Sequence, residues 1–423
     1  MRLVVGIFAF FIVGVLLNNF PLSSFASSVS SSPFVEVSGV HFVRGGQPFY
    51  INGFNAYWLM VVASQPGGRE KVSAVLSQAA DLGPSTVVRT WAFSDAGDLS
   101  LQRSPGFYDE TMYQARGKLN KCLDYVISEA KKHGVYLILS FVNNFDDFGG
   151  KKQYVKWGNE RGQRLRSIND FYSNKLVKQF YKNHVKVGTF FSVLTRKNTI
   201  TGIQYKDDPT IMAWELMNEP RFIRSSNSDI FQAWIQEMAS YVKSIDGNHL
   251  LEVGLEGFYG DCSPEKKLLN PGFGVGTDFI CNNLVKEIDF ATIHIYPDQW
   301  LPFSGARKQN AFLRRWIQAH VQDSEKVIGK PLLVAEFGLR RSRFRFGPEK
   351  RDRLYRLVYS WVYDSARSGG AGAGGLFWQL LVPGLDGLRD GYEVIFEESP
   401  STASIVYRQS EMLSGLNKHW DSA

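Results

Sequence analysis

The sequence predicts an α/β fold, a single-domain (β/α)8 TIM barrel, on three observations. Eight short apolar runs succeed one another, amphipathic stretches of helical period separate most of them, and no glycine-rich phosphate turn follows an early strand. The candidate strands run over 49–55, 86–92, 136–142, 211–217, 250–255, 290–295, 332–337 and 375–379. Several are apolar throughout, the pattern of parallel strands buried on both faces. Helical periodicity covers 69–82, 109–133, 169–191, 229–245, 307–327 and 349–367, with Gly83, Gly134, Gly247, Gly329 and Gly369 placed as helix stops. The connection 257–289 alone lacks a convincing helix. An open doubly wound sheet is the competing architecture, and the missing phosphate turn argues against it.

The remaining features bound the protein more loosely. A chain of 423 residues that is 44% hydrophobic can bury a large core and does not belong to the disordered class. No solenoid repeat and no internal Pro- or Ser-rich linker divides it, so one catalytic domain is expected over 41–423. At the N-terminus, Arg2 precedes an apolar run from Leu3 to Leu17, and Ser24, Phe25 and Ala26 put small residues where a signal peptidase reads. This predicts a cleaved signal peptide over 1–26, a flexible mature N-terminus over 27–40, and export to the extracellular space or cell wall. A retained anchor is the alternative, but the run falls short of the roughly 20 apolar residues of a membrane span and lacks strong basic flanks. No later segment suggests a membrane partner.

The chain has three cysteines, too few for a disulfide scaffold. Cys262 and Cys281 both lie between the fifth and sixth predicted strands, so a bridge closing that loop is expected in an oxidising compartment. Cys122 lies in a helical stretch and reads as a buried thiol. No Asn-x-Ser/Thr sequon occurs. The net charge of +7 suits retention by an acidic matrix as well as it would any nucleic-acid role, and no nucleic-acid partner is expected. The densest basic run, Arg340 to Arg345, reads as a solvated loop, with contact to an acidic polymer as the alternative. Nothing bears on the oligomeric state.

Barrel enzymes carry their chemistry at the C-terminal ends of the strands. That filter selects Asn55, Tyr57, Arg89, Trp91, Asn143, Asn144, Asn218, Glu219, Glu256, His294, Tyr296, Glu336 and Trp378. Glu219 and Glu336 each end an apolar run, on the fourth and seventh strands, which face each other across a barrel. A carboxylate pair can supply the proton and the nucleophile or base that glycosidic hydrolysis needs, provided that their surroundings separate the two pKa values. Arg89 would hold one carboxylate ionised, and a Tyr or His would orient it. Each glutamate alone could equally be a rim ion pair; the company of Arg89, Asn218, His294, Tyr296 and Trp378 makes that reading the weaker. Glu215, earlier on the fourth strand, reads as a buried structural pair. His294 has no second His or Cys at ligand spacing, so neither a metal nor another cofactor is expected. No Gly-x-Ser-x-Gly elbow supports a serine nucleophile. Trp91, Trp300 and Trp378 are candidate platforms for the C–H faces of sugar rings, with a core role as the alternative for each.

The segments Thr90–Asp95, Asp207–Arg221, Glu252–Gly260 and His294–Trp300 together resemble plant endo-β-1,4-mannanases of glycoside hydrolase family 5, with likeness running from about Phe42 to Met412. Asn218-Glu219-Pro220 alone marks only the wider clan of retaining barrels; the longer blocks are more specific. The resemblance implies endo-hydrolysis of mannan, galactomannan or glucomannan by double displacement. Glu219 would be the acid/base and Glu336 the nucleophile, with carboxyl groups about 5 to 5.5 Å apart. It further implies that Asn218 binds the sugar 2-hydroxyl, that Arg89 and Tyr296 orient the nucleophile, that His294 supports the site and that Trp378 underlies the attacked sugar. Glu256, Trp91 and Trp300 complete the expected substrate contacts. Extra residues relative to that pattern fall around Ala115–Cys122 and Val187–Ser192, inside outer helices, where a fractional turn would rotate the following apolar face. A transglycosylase or another β-1,4-glycanase on the same fold would share these residues. A carbohydrate-binding protein without activity is a further alternative, which the complete carboxylate pair disfavours.

Overall fold

Eight parallel strands form in the order the sequence predicts: β1 (Ile51–Asn55), β2 (Thr86–Trp91), β3 (Tyr136–Ser140), β4 (Ile211–Glu215), β5 (Leu250–Glu252), β6 (Ala291–Ile295), β7 (Leu332–Phe337) and β8 (Gly372–Phe377). The computed structural model describes residues 32–97, 100–108, 122–186, 193–223, 229–271, 274–341 and 348–420. Hydrogen-bonded neighbours run β5-β4-β3-β2-β1-β8-β7-β6. The seam between β5 and β6 is bridged by Asp289 N–H to Leu251 O at 2.8 Å and His294 N–H to Glu256 O at 3.0 Å, which closes the sheet into a barrel.

Strand alternation divides the apolar residues between two layers. Leu137 and Leu139 face the helices, whereas Ile138 points inward and packs with Val87, Met212, Leu333 and Leu376. Arg89 pairs in register with Ile138. It therefore shares the inward face, in the layer above the apolar plug. The bottom of the barrel is sealed by an antiparallel ribbon, Glu36–Ser38, His41–Arg44 and Gln47–Pro48, whose Phe42 packs edge-on to Phe290 at 5.1 Å. This corrects the flexible segment expected over 27–40: its second half is part of the plug, because Val35 and Phe42 have apolar surface to bury there.

Other departures have local causes. β5 stops at Glu252 because Gly254 takes a left-handed φ of 93°, and a Cβ there would lie 1.8 Å from Met217 O. β8 begins earlier than expected, in a glycine-rich stretch where a Cβ on Gly374 would meet Ile51 at 2.5 Å. The helix expected over 169–191 breaks at Asn174, whose side chain accepts from Leu176 N–H and Val177 N–H and starts a new helix, Lys175–Val185. Among the described residues, the longer helices that were not anticipated are Gly150–Glu160 and the C-terminal Pro400–Trp420. The latter is docked on β1 by Asn52 Nδ2, which donates to Val406 O at 2.9 Å and Ser410 Oγ at 2.7 Å.

Cys262 and Cys281 are joined in a disulfide with a Cα separation of 6.1 Å, and Cys122 is a buried thiol. The signal peptide read over 1–26, the extra stretches over 115–121 and 187–192, and residues 342–345 of the basic run lie outside the described residues. Among the described residues no helix is long and apolar enough to cross a membrane.

Candidate active site

Five donors on one side chain organise the top of the barrel. Arg89 is fully buried at the end of β2. Its Nε and Nη2 donate to the two oxygens of Glu215 at 2.6 and 2.8 Å, and Nη2 donates also to Asn218 Oδ1 at 2.6 Å. Nη1 donates to Asn55 Oδ1 at 3.0 Å and Glu336 Oε1 at 2.6 Å. All five guanidinium N–H groups are thereby engaged, a geometry that lysine cannot reproduce. Burial opposes the charge, yet Glu215 and Glu336 outweigh it and hold Arg89 above its ordinary pKa. Glu215 stays below the usual carboxylate range despite its burial, held there by Arg89 and by a hydrogen bond from Ser140. It is the buried pair that its position suggested. Glu252, which pairs in register with Glu215, is pushed well above that range by burial and then by the Glu215 charge.

Two carboxyl groups rise from this base toward solvent. Glu336, in β7, accepts from Arg89 on Oε1 and from Tyr296 Oη at 2.6 Å on Oε2. Glu219, just beyond β4, has a positive φ of 46°, and its N–H donates to Gly254 O at 3.0 Å. The left-handed turn at Gly254 thus lets β5 receive the backbone that carries Glu219. His294 Nδ1 lies 2.6 Å from Glu219 Oε1 and 3.6 Å from Glu336 Oε2. One oxygen of Glu219 and one of Glu336 lie within 4.8 Å of each other. That falls with the roughly 5 to 5.5 Å of retaining glycosidases, well short of the 6.5 to 9.5 Å of inverting ones.

Burial is the largest influence on both glutamates and raises both pKa values. Burial thus does not distinguish the two, and what differs between them is their partners. Glu336 takes an ionic donor and a phenol, while Glu219 takes an imidazole whose own pKa burial depresses. The Arg221 guanidinium stands farther off, 4.0 Å from Glu219 Oε2.

Above the pair opens a cleft of about 440 Å³, within the range of pockets that hold small-molecule ligands. Trp91, Asn218, Glu219, Tyr296, Glu336 and Trp378 line it. Asn218 Nδ2 also donates to Asn143 Oδ1 at 2.9 Å, which fixes the amide orientation and leaves its second N–H directed elsewhere. Arg89 and His294 are buried behind the carboxylates and bond them rather than line the cleft. Two expected substrate contacts need correction. Glu256 is turned away into a two-bond pair with Arg221, at 2.6 and 2.8 Å; burial and then the Glu219 charge raise its pKa to about 7. Trp300 is a core residue, because the chain turns after Tyr296 into a short helix that packs its ring 5.2 Å from Trp316 and 5.8 Å from Phe258.

The cleft also contains residues that were not assigned to it. Tyr57 stacks on Trp378 with centroids 5.5 Å apart and planes 9° apart, and extends an aromatic wall toward Trp91. Tyr57 carried the strand-end signal. Asp390 and Tyr392 carried none, since they lie on a loop well beyond β8.

Glu219, His294 and Glu336 are also close enough to face a common cation. Their facing atoms already bond one another, Arg89 and Tyr296, and the Arg89 charge opposes a cation there. The group reads as two acids, each hydrogen-bonded to protein partners, rather than a metal cage.

An apposed carboxyl pair on β4 and β7, backed by an arginine and roofed by an aromatic cleft, defines a glycoside hydrolase of the (β/α)8 type. Residues 32–382 match the family described as GH family 5 beta-mannosidase-like, and the chain belongs to that family. It is 54% identical over 392 residues to a putative mannan endo-1,4-beta-mannosidase 9 of Oryza sativa subsp. japonica, covering 93% of this chain and 92% of the relative. It is 49% identical over 413 residues to mannan endo-1,4-beta-mannosidase 7 of Arabidopsis thaliana, covering 98% and 92%. Among solved structures, it is similar to the endo-1,4-beta-mannanase of Rhizomucor miehei, with a TM-score of 0.71, 30% identity and coverage of 90% of this chain and 99% of that one. The endo-beta-1,4-mannanase of Thermotoga petrophila aligns with a TM-score of 0.70 at 28% identity, covering 89% and 78%.

Proposed function

We propose that the protein is a secreted endo-β-1,4-mannanase that cleaves internal bonds of mannan, galactomannan or glucomannan with retention of anomeric configuration. The carrying observation is the approach of Glu219 and Glu336 to within 4.8 Å, with unequal partners. Glu336, beside Arg89, is the carboxylate that attacks the anomeric carbon while Glu219 delivers its proton to the departing glycosidic oxygen. The bond formed joins C1 to a Glu336 oxygen, and the bond broken is that to the leaving sugar. Water then enters, gives its proton to Glu219, and its oxygen displaces Glu336 from C1. Tyr296 and Arg89 orient the nucleophile, and the second N–H of Asn218 is available to the sugar 2-hydroxyl. The elongated aromatic wall of Trp91, Tyr57 and Trp378 suits a chain bound along its length, and the plant relatives support mannan as that chain. Secretion to the wall or extracellular space rests on the leader-like N-terminus and agrees with an oxidised Cys262–Cys281 pair.

The test is product release from galactomannan, carboxymethylcellulose and xylan by the wild type and by Glu336→Ala. Mid-chain cleavage of mannan alone, lost in the variant, is expected. Folded wild-type protein that releases nothing from mannan would overturn the reading.

A further inference from the structure

The carboxylates and the platform tryptophan do not share a strand, and something must hold them in register. Trp378 follows β8, Tyr296 follows β6, and the loop 384–393 lies against both. Within it, Asp390 Oδ2 accepts from Trp378 Nε1 at 2.7 Å and from Gln379 Nε2 at 3.1 Å. Its other oxygen accepts from the Tyr392 main-chain N–H at 2.8 Å. Tyr392 then packs edge-on to the Tyr296 ring, with centroids 5.5 Å apart at 82°. Its hydroxyl donates to Asp298 Oδ2 at 2.8 Å and accepts from Gln299 Nε2 at 3.0 Å. One route thus links the face on which a sugar would lie to the phenol that donates to the nucleophile.

We propose that Asp390 and Tyr392 are positioning residues of the reaction. Asp390 sets the plane of Trp378, and Tyr392 sets Tyr296, so that the loop 384–393 fixes the bound sugar relative to Glu336. The proposal deepens the hydrolase reading of this same site and rests on it. A carboxylate is needed at 390 because three donors converge on two acceptor oxygens. An amide of the same shape has one acceptor oxygen, and whichever way it is turned its NH2 faces an N–H donor. Misplacing the platform by a fraction of an ångström acts on the transition state more than on binding.

The experiment is a double-mutant cycle read on a manno-oligosaccharide: wild type, Asp390→Asn, Trp378→Phe, and both together. Wild-type hydrolysis tests the underlying reading; the cycle tests the proposal. Asp390→Asn is expected to lower kcat/KM by about 10- to 100-fold, mainly through kcat. In the Trp378→Phe background, which has no indole N–H to hold, the same change should cost about twofold or less. Costs that multiply independently, or an Asp390→Asn enzyme within about twofold of the wild type, would overturn the proposal. If Asp390→Asn does not fold, Tyr392→Phe carries the test, since it keeps the ring and removes only the hydroxyl bridge. Loosening Tyr296 weakens its hydrogen bond to the ionised nucleophile, so the acidic limb of kcat/KM should move to higher pH. An unchanged limb with unchanged kcat would overturn the proposal equally.

Discussion

The two carboxyl groups of the site differ in what surrounds them. Glu336 belongs to a strand, and both its oxygens are taken by groups from β2 and the end of β6. Glu219 stands on a left-handed residue beyond its strand, bonds one histidine, and keeps more of its side chain open to solvent, 13% against 5%. Burial raises the pKa of both acids, but direct donation from Arg89 and Tyr296 favours the charged form of Glu336, and no arginine or phenol bonds Glu219 so closely. The two side chains are identical, and the proposed division of roles rests on this difference in partners.

The largest effects should come from breaking this difference outright. Glu336→Ala and Glu219→Gln are each expected to lower kcat on mannan by on the order of 10³- to 10⁵-fold. An aryl mannoside with a good leaving group should separate them. Such a leaving group needs little protonation, so Glu219→Gln should still show a burst of released phenol, whereas Glu336→Ala should show none. A burst from the Glu336 variant instead would reverse the assigned roles.

Next comes the base beneath the pair. Arg89→Lys keeps a charge but cannot serve five acceptors, and it leaves Glu215 and Glu336 poorly paired inside the barrel. The expected loss is about 10²- to 10³-fold in kcat/KM, with a fall in unfolding free energy of about 3 kcal/mol or more. Denaturant unfolding alongside kinetics checks both. A stable Arg89→Lys enzyme with near-normal turnover would show that the cluster orients nothing.

A smaller effect isolates one donor. Tyr296→Phe removes the hydrogen bond that favours the charged form of Glu336, so it raises the nucleophile's pKa. Because Glu336 must be ionised to attack, the acidic limb of the kcat/KM profile should move to higher pH. The alkaline limb, set by the Glu219 proton, should move less. The expected loss at the optimum is about 10-fold. Movement of the alkaline limb alone would place the phenol with Glu219 rather than Glu336.

The same contrast explains what was legible in the sequence. Strand ends are legible, because a polar residue closing an apolar run has few places to go except the rim of a barrel. Arg89, Asn218, Glu219, Tyr296, Glu336 and Trp378 were selected that way, and the structure gathers them at one end of the barrel. The filter does not say which side of the rim a residue takes. Glu256 passed it and turned to Arg221, and Trp300 was drawn into the core by a helical turn that periodicity does not reveal. Glu252 ends β5 but lies inside the longer strand expected over 250–255, so it carried no strand-end signal, yet it is a buried acid beside Glu215. Asp390 and Tyr392 lie on a connection whose path depends on tertiary contacts, so neither spacing nor composition marked them. The Pro400–Trp420 helix was missed for a related reason: its docking depends on Asn52 and on the side chain of Arg351, which donates to Thr402 Oγ1 and Ser399 Oγ.

The smallest effect on catalysis should come from the disulfide, which tests whether the β5–β6 connection is independent of the site. Cys262 and Cys281 close a loop with a sequence separation of 19 residues, a constraint that chain entropy values at about 3 kcal/mol. The loop has its own local order: Asp278 accepts from Cys262 N–H on one oxygen and from Ile280 and Cys281 N–H on the other, capping the helix Phe279–Asn283. Its attachment to the catalytic rim passes through Phe258 and Tyr259, which pack against the outer helix at Trp316 rather than against either glutamate. A Cys262→Ser/Cys281→Ser enzyme should therefore unfold at lower denaturant concentration while keeping kcat/KM within about twofold at 25 °C. Labelling of the folded, unreduced wild type with a thiol reagent should modify neither Cys262 nor Cys281. If turnover fell together with stability, the loop would have to act on Glu219 through the Glu256–Arg221 pair. The weakly held carboxyl would then depend on a distant crosslink, and the strand-held one would not.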